Sequence, residues 1–423
     1  MQSLMILGRQ PSLGLAELES LYGSAAVIPV DGLAALVDVN PSSVEFDSLG
    51  GSIKYGKMLT ILDTTDWRGI EKFLAQTIPG QADTLPEGKL TLGLSVYGLR
   101  VSPAGVQATG LTLKKVIRKS GRSVRLVPNN ELELNTAQVL HNRLTGENGW
   151  ELLLVRYGDK TILAQTVGVQ DIESYTVRDR DRPKRDTRVG MLPPKLAQIL
   201  INLAVGEVPI PRGAFPDYIE EEPEVSPNVI PTETPTILDP FCGTGVVLQE
   251  AVLMGYMAYG TDIDSRMVEY SRANIAWLPG KFETGDLPVP IEAGDATNYR
   301  WTEKFTHVAS ETYLGRPFTS LPSPEVLGQT VSECNLIIKK FLKNIGTQID
   351  TGTRLALAVP AWQVRSGQFK HLPLLAGPSG SNLDSLEEIG YNRISFEHVR
   401  SEELLYYREG QVVARELLIL TKQ

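Results

Sequence analysis

Cysteine and histidine are both scarce: the 423 residues contain two cysteines, Cys242 and Cys334, and four histidines. That is too few for a disulfide framework or a thiolate–imidazole metal cluster, so the expectation is a chain without a metal centre in a reducing compartment, the cytoplasm. Long apolar runs are missing too, and nothing approaches the roughly 18 consecutive residues that a membrane span requires. Met1–Gly8 carries no basic segment ahead of its apolar residues and reads as a first strand, not as a signal peptide. Cations are outnumbered: the formal net charge is −9, which taken whole argues against a protein that coats nucleic acid. What is present is ordinary for a globular protein, with 42% hydrophobic and 22% charged residues. This excludes disordered and collagenous classes, and the length suits two or three domains at about 100–200 residues each.

The charge is unevenly spread. Residues 1–189 carry 22 Lys and Arg against 21 Asp and Glu, whereas residues 190–423 carry 19 against 29. The near-neutral front stretch contains a pair of basic clusters. Lys114–Arg125 holds six cations and no anion; like charges repel unless an anion is bound, so this cluster is read as a nucleic-acid contact. Arg178–Arg188 interleaves acids with bases, and a solvated face and a phosphate contact are both open there.

Along the chain, strand Leu4–Gly8, helix Leu15–Leu21 and strands Ala26–Pro29 and Leu33–Val39 make a small α+β unit. A second begins near Leu90 and continues through helix Leu111–Lys119, strand Val124–Val127, helix Thr136–Leu144 and strands Glu151–Val155 and Thr161–Val167. On the first of these helices, spacings of three and four bring Lys115, Arg118 and Lys119 together. Seven prolines between Gly206 and Pro235, with acidic Glu220–Glu222, mark an exposed loop. After Pro235 strands alternate with helices, the pattern of a parallel α/β sheet: strand Thr236–Asp239, helix Ser265–Trp277, strand Ile291–Gly294, helix Pro324–Asn344, strand Arg354–Val359 and helix Leu383–Ile389. The strand pair Glu403–Arg408 and Val412–Leu420 follows.

Asp239-Pro240-Phe241-Cys242-Gly243-Thr244-Gly245 stands where the first α/β strand gives way to a helix, the crevice in which such sheets bind nucleotide-like ligands. Gly243 and Gly245 allow close backbone approach, and Asp239 can accept from a cationic amine. Asp262 ends the next strand, in position to reach ribose hydroxyls, and Asp295 follows a third strand, in position for an adenine amine. A pyrophosphate prefers a helix N-terminus clear of acids; an acidic loop suits a sulfonium amino acid, which favours S-adenosylmethionine over NAD.

These residues resemble a known family. Asp239–Gly245, Gln249-Glu250-Ala251, Gly260–Asp264 and the stretch Gly190–Gln198 look like RNA amino-methyltransferases. With Arg182-Pro183-Lys184-Arg185-Asp186, and with Leu7-Gly8-Arg9 and Ala16-Glu17-Leu18 near the start, the chain is similar to THUMP-domain tRNA guanosine-N2 methyltransferases of the guanine-10 type. The resemblance implies a ferredoxin-like α+β region over 1–85 and a THUMP-like RNA-binding domain over 86–175. Residues 176–423 would then form a Rossmann-like α/β methyltransferase domain with its Pro-rich acidic loop at 206–235. It implies S-adenosylmethionine as cofactor, with Asp239, Gly243 and Gly245 at its amino-acid portion, Asp262 at its ribose, Asp295 at its adenine and Phe241 also in the cofactor site. It implies tRNA as partner, held in part by Lys114, Lys115, Arg118 and Lys119, and it leaves room for a small activating subunit.

The family's catalytic loop reads Asp/Asn-Pro-Pro-Tyr/Phe. This chain has Glu311-Thr312-Tyr313-Leu314-Gly315-Arg316 there, with both prolines absent. Glu311 is expected to accept from the substrate amine and Tyr313 to stack on the base or pack under the loop, while Arg316 is left between a phosphate contact and a pair with Glu311. The same departure from the motif fits a relative that binds tRNA and cofactor without transferring a methyl group. A DNA amino-methyltransferase is a further alternative, disfavoured by the RNA-binding character of the front half.

Overall fold

The computed structural model describes residues 2–82, 84–186, 191–206, 234–284, 288–375 and 386–423. They fall into two compact units, Met1–Thr176 and Val177–Gln423. Nearly all of the Pro-rich stretch 206–235, and Arg188 of the second basic cluster, lie outside the described residues.

In the first unit β1 (Ser3–Leu7), α1 (Pro11–Tyr22), β2 (Val27–Val30) and β3 (Ala34–Val37) precede a long strand, β4 (Ser52–Leu62), and α2 (Trp67–Ala82). Then come β5 (Leu90–Tyr97), α3 (Pro103–Lys119), β6 (Val124–Leu126), α4 (Thr136–His141), β7 (Gly149–Tyr157), β8 (Lys160–Val169) and α5 (Ile172–Thr176). The strands form one mixed sheet, ordered β2-β3-β1-β4-β8-β7-β5-β6. The division expected at residue 85 thus falls inside a continuous sheet, because β4 pairs with β8 from Lys54↔Val169 to Leu62↔Thr161. Alternation along β7 supplies cores on both faces. Leu152 and Leu154 pack with Ile70 and Leu74 of α2 and Leu113 and Ile117 of α3, while Leu153 and Val155 pack with Leu4, Ile6 and Ile162.

A buried ion pair pins this sheet. Glu151 accepts from Lys54 Nζ, from Ser95 Oγ at 2.5 Å and from Thr166 Oγ1 at 2.6 Å, and Lys54 also donates to the Leu134 carbonyl at 3.1 Å. Four strands, β4, β5, β7 and β8, are tied through one carboxylate.

Helix α3 starts at Pro103 and not at the expected Leu111. Ser102 caps it, its Oγ accepting from Gly105 N at 3.1 Å, with Pro103 in the first turn where its missing N–H costs nothing. Glycines 105 and 110 hide this first half from a propensity reading. Gly110 is where Leu126 packs against the helix; a Cβ there would lie 2.8 Å from Leu126 Cδ1.

The second unit contains α6 (Pro194–Val205), β9 (Thr236–Asp239), α7 (Val246–Leu253), β10 (Met257–Asp262), α8 (Ser265–Trp277), β11 (Ile291–Ala293) and β12 (His307–Glu311). These are followed by α9 (Pro324–Ile345), β13 (Arg354–Arg365), β14 (Gln368–Lys370), β15 (Tyr391–Arg393), β16 (Leu405–Tyr406) and β17 (Val413–Lys422). The sheet runs β11-β10-β9-β12-β13-β17-β15, with β14 on β13 and β16 on β17. The first five are parallel, and β17 enters antiparallel between β13 and β15. Leu238, Val308 and Leu357 from the sheet and Cys334, Ile338 and Phe341 from α9 build the main core. Helix α6, apolar around nearly its whole circumference, is buried against α7, β12 and β13.

Two expectations change here. The helix expected at Leu383–Ile389 is, within the described residues, only a 3₁₀ turn at Glu387–Ile389; Gly390, at φ 87°, ends it as the chain enters β15. Strand β13 continues six residues past Val359, through Pro360. The proline is tolerated because its nitrogen faces the side where β12 has already ended and β14 pairs only from Trp362 onward. No helix among the described residues is long and apolar enough to cross a membrane.

Candidate active site

Strand order reverses at β9, with β10 on one side and β12 on the other, so the carboxyl ends of β9 and β12 open a crevice. Asp239 ends β9, Asp262 ends β10 and Glu311 ends β12, and the three carboxylates meet there. Asp239 is 2% exposed. Its Oδ1 accepts from Ser310 Oγ at 2.5 Å and from Phe241 N at 3.2 Å. Burial, reinforced by the charges of Asp262 and Glu311, pushes its carboxyl up to about 7 despite those two donors. Asp262 is also held above the ordinary range, chiefly by burial.

The loop after β9 is fixed from several sides. Gly243, at φ 51°, donates its N–H to Asp262 Oδ2 at 2.8 Å, and Asp264 N donates to Oδ1 at 2.9 Å. Each Asp262 oxygen keeps a further lone pair for a hydroxyl. Gly245 has φ 82° and lies so close to α8 that a Cβ would meet Ser271 Oγ at 2.9 Å. Ser271 Oγ in turn donates to the Gly243 carbonyl at 2.7 Å, and Asn274 Nδ2 to the Thr244 carbonyl at 2.8 Å. Neither α8 residue belongs to a motif that a sequence reading singles out, because their role depends on how the helix packs. Beside Asp262, Ile263 is 74% exposed, an apolar surface at the rim of the crevice.

The remaining expected residues are placed differently. The Phe241 ring packs edge-on against Phe341, 5.1 Å between centroids, leaving mainly its backbone to the crevice. Asp295, just past β11, closes its own turn: Oδ1 accepts from Thr297 N at 2.9 Å and Thr297 Oγ1 at 2.8 Å. Tyr313 packs against the main core, with Gly315 behind it pressed on α9, where a Cβ would lie 2.7 Å from Thr330 Cγ2. Arg316 is exposed. The cation that meets Glu311 is Arg415 of β17, whose Nε donates to Glu311 Oε1; antiparallel insertion of β17, invisible in local sequence, brings it there.

The basic clusters also differ from one another. In the first unit Leu111, Lys114, Lys115, Arg118 and Lys119 line a shallow groove of about 520 Å³ on α3, and none of the four cations forms an ion pair among the described residues. In the second unit the described part of the other cluster divides: Arg178, Arg182 and Asp186 are buried, whereas Arg180, Lys184 and Arg185 are exposed. Arg178 pairs with buried Glu250 at 2.6 Å, Asp186 takes Arg266 at 3.2 Å, and Arg182 is 3% exposed. Lys184 lies over the Tyr270 ring, 5.4 Å from its centroid.

No protein-family model matches the chain. Among curated proteins it is similar to the tRNA (guanine(10)-N2)-dimethyltransferase of Methanothermobacter thermautotrophicus, 27% identical over 217 residues, 51% of this chain and 52% of the relative. It is similar to the protein of the same name from Pyrococcus abyssi, 25% identical over 202 residues, 46% of this chain and 47% of the relative. The chain thus spans about half the length of the curated relatives it matches. Among solved structures it resembles TrmN from Thermus thermophilus at a TM-score of 0.50 and 16% identity, over 100% of both chains. At that identity the likeness shows the fold: an α/β architecture with a Rossmann-like sheet, as the strand alternation after Pro235 predicts.

Proposed function

We propose that this chain transfers a methyl group from S-adenosylmethionine to the exocyclic amine of a guanine in tRNA. The observation that carries the reading is the convergence of Asp239, Asp262 and Glu311 at the ends of three neighbouring strands around the order reversal. Three carboxylates against one arginine repel a diphosphate and suit a ligand bearing an ammonium and a sulfonium. The two curated relatives are named for this activity on guanine 10, which supports the substrate class.

Bound in this crevice, S-adenosylmethionine supplies an electrophilic methyl group. Asp239, once ionised, accepts from the ligand's amino group; Gly243 and Gly245 admit its backbone-sized portion; Asp262 accepts from vicinal ribose hydroxyls; and Ile263 covers one face of the adenine. Asp295 is assigned to the adenine amine through whatever acceptor capacity its turn leaves free. Glu311 accepts a hydrogen bond from the guanine amine, which aims the nitrogen, and takes the proton that the nitrogen sheds when the new N–C bond forms. Tyr313 carries the base-stacking role only through its partly exposed edge. The groove on α3 receives tRNA phosphates on Lys114, Lys115, Arg118 and Lys119, with Leu111 against a ribose or base. The THUMP character of the first unit and a cytoplasmic location belong to the same reading.

A second reading, a tRNA and cofactor binder that transfers nothing, is favoured by the missing prolines and by the pairing of Glu311 with Arg415. Calorimetry with S-adenosylmethionine followed by labelled-methyl transfer to unmodified tRNA separates the two. Transfer that survives intact in Glu311→Ala removes Glu311 from the chemistry. Cofactor binding with no labelled tRNA leaves the second reading standing.

A further inference from the structure

The Glu311 carboxylate is held on one side only. Arg415 Nε donates to Oε1, while Oε2 has no hydrogen-bond partner among the described residues. The side chains are 15% and 10% exposed, so the pair sits at the wall of the crevice and not on open surface. Glu311 is also close enough to Asp239 for its charge to oppose ionisation there, which puts the carboxylate on the side of the cofactor loop.

Register explains why these two residue types meet. Glu311 stands opposite Ala358 on β13, and Ala358 stands opposite Leu417 on β17. Arg415 is two residues from Leu417, on the same face of the sheet. Two strand spacings across the sheet, about 9.6 Å, and a two-residue offset along it, about 6.6 Å, must therefore be bridged, and only two long side chains reaching toward one another can do it. An Asp at 311 would withdraw the carboxylate by about 1.5 Å, one C–C bond, and the contact would open. The extra methylene that separates this loop from the family's Asp/Asn motif and the arginine on β17 fit one another as a compensating pair.

We propose that Arg415 is a positioning residue for methyl transfer: it holds Oε1 so that Oε2 faces the substrate amine, replacing the rigidity that the two absent prolines would give the loop. The proposal rests on the reading that Glu311 receives the amine. Its test uses the full chain with labelled S-adenosylmethionine and unmodified tRNA, comparing Arg415→Gln, Arg415→Lys, Glu311→Gln and the Glu311→Gln/Arg415→Gln double variant.

Misplacement of an acceptor by about 1 Å costs on the order of 100-fold in rate. The expected result is a kcat about 100-fold lower in Arg415→Gln, with the KM for tRNA and the cofactor Kd within about threefold of the starting protein. Arg415→Lys should lose no more than about tenfold, and the double variant should be no slower than Glu311→Gln alone, because two groups acting as a unit do not add. An Arg415→Gln kcat within twofold of the starting protein, or a double variant slower than Glu311→Gln by a further hundredfold, overturns the positioning role and leaves the proposed activity intact. Where Arg415→Gln fails to fold, the double variant, which leaves no charge unpaired, supplies the deciding comparison with Glu311→Gln. A starting protein that binds cofactor but labels no tRNA overturns the activity and the positioning role together.

Discussion

Asp239 is the residue on which pH should act most directly. The amine-accepting role proposed for it requires the ionised form, and burial holds its carboxyl near 7. Affinity for S-adenosylmethionine is therefore expected to fall about tenfold per pH unit below 7, a slope that calorimetry from pH 8 to 5.5 reads and that Asp239→Asn should abolish along with much of the affinity. Asp262→Ala removes the acceptor of two backbone N–H groups as well as the proposed ribose contact, so cofactor binding should weaken at least tenfold while tRNA binding is unchanged. The positions of Asp239, Gly243, Gly245 and Asp262 at neighbouring strand ends are legible in sequence because a strand-to-helix turn is a local object whose spacing survives without the rest of the fold. Arg415 is not: its meaning depends on β17 lying beside β13, a fact about topology with no trace in the residues around position 415. Arg316 is the nearer candidate partner of Glu311 along the chain, but nearness in a segment leaving a strand end says little about direction.

At the scale of elements, α3 carries the clearest test. Lys115→Glu with Lys119→Glu should weaken tRNA binding and flatten its salt dependence, since each lost phosphate contact lowers the log–log slope by about 0.7–0.9; an unchanged slope in a titration from about 50 to 200 mM salt would remove α3 from the interface. The buried pair in the first sheet gives a stability test. Lys54→Met leaves Glu151 charged and short of its cation, which should cost about 3–5 kcal/mol in denaturant unfolding. Lys54→Met with Glu151→Leu should recover most of that loss, unless Ser95 and Thr166 then go unpaired. Helix α8 matches its expected bounds because Asp264 caps it, its Oδ1 accepting from Arg266 N at 2.9 Å, and caps are read from sequence. The single eight-stranded sheet of the first unit is not legible: β4 and β8 are separated by about a hundred residues, and each strand alone is equally compatible with two small sheets.

For the whole molecule, two buried groups pull stability in opposite directions with pH. His307 is held down to about 4, first by burial and then by Arg354; the unfolded chain binds the extra proton between about 6.5 and 4, so stability is lost as pH falls through that window. Asp239 does the reverse. Its folded form keeps a proton that the unfolded chain releases near 3.8, so its contribution declines as pH rises from there to about 7. Between about 4 and 6.5 the two offset one another. Buried Glu250, likewise pushed up to about 7, adds to the Asp239 side, so thermal melts of the cofactor-free protein should fall with pH across that range, more steeply in His307→Gln and less steeply in Asp239→Asn. The net charge of −9 is legible from the sequence alone, and so is its division between a near-neutral front and an acidic remainder once positions are counted, but the inward turn of Arg178 and Arg182 needs the fold.

The ion pair between Glu311 and Arg415 spans 104 positions, and β17 comes after every other described strand. Closing so long a loop is slow compared with forming the β9–α7–β10 neighbourhood. Only the seating of β17 beside β13 sets a cation against Glu311, so a disturbance of this late strand is felt directly at the mouth of the crevice.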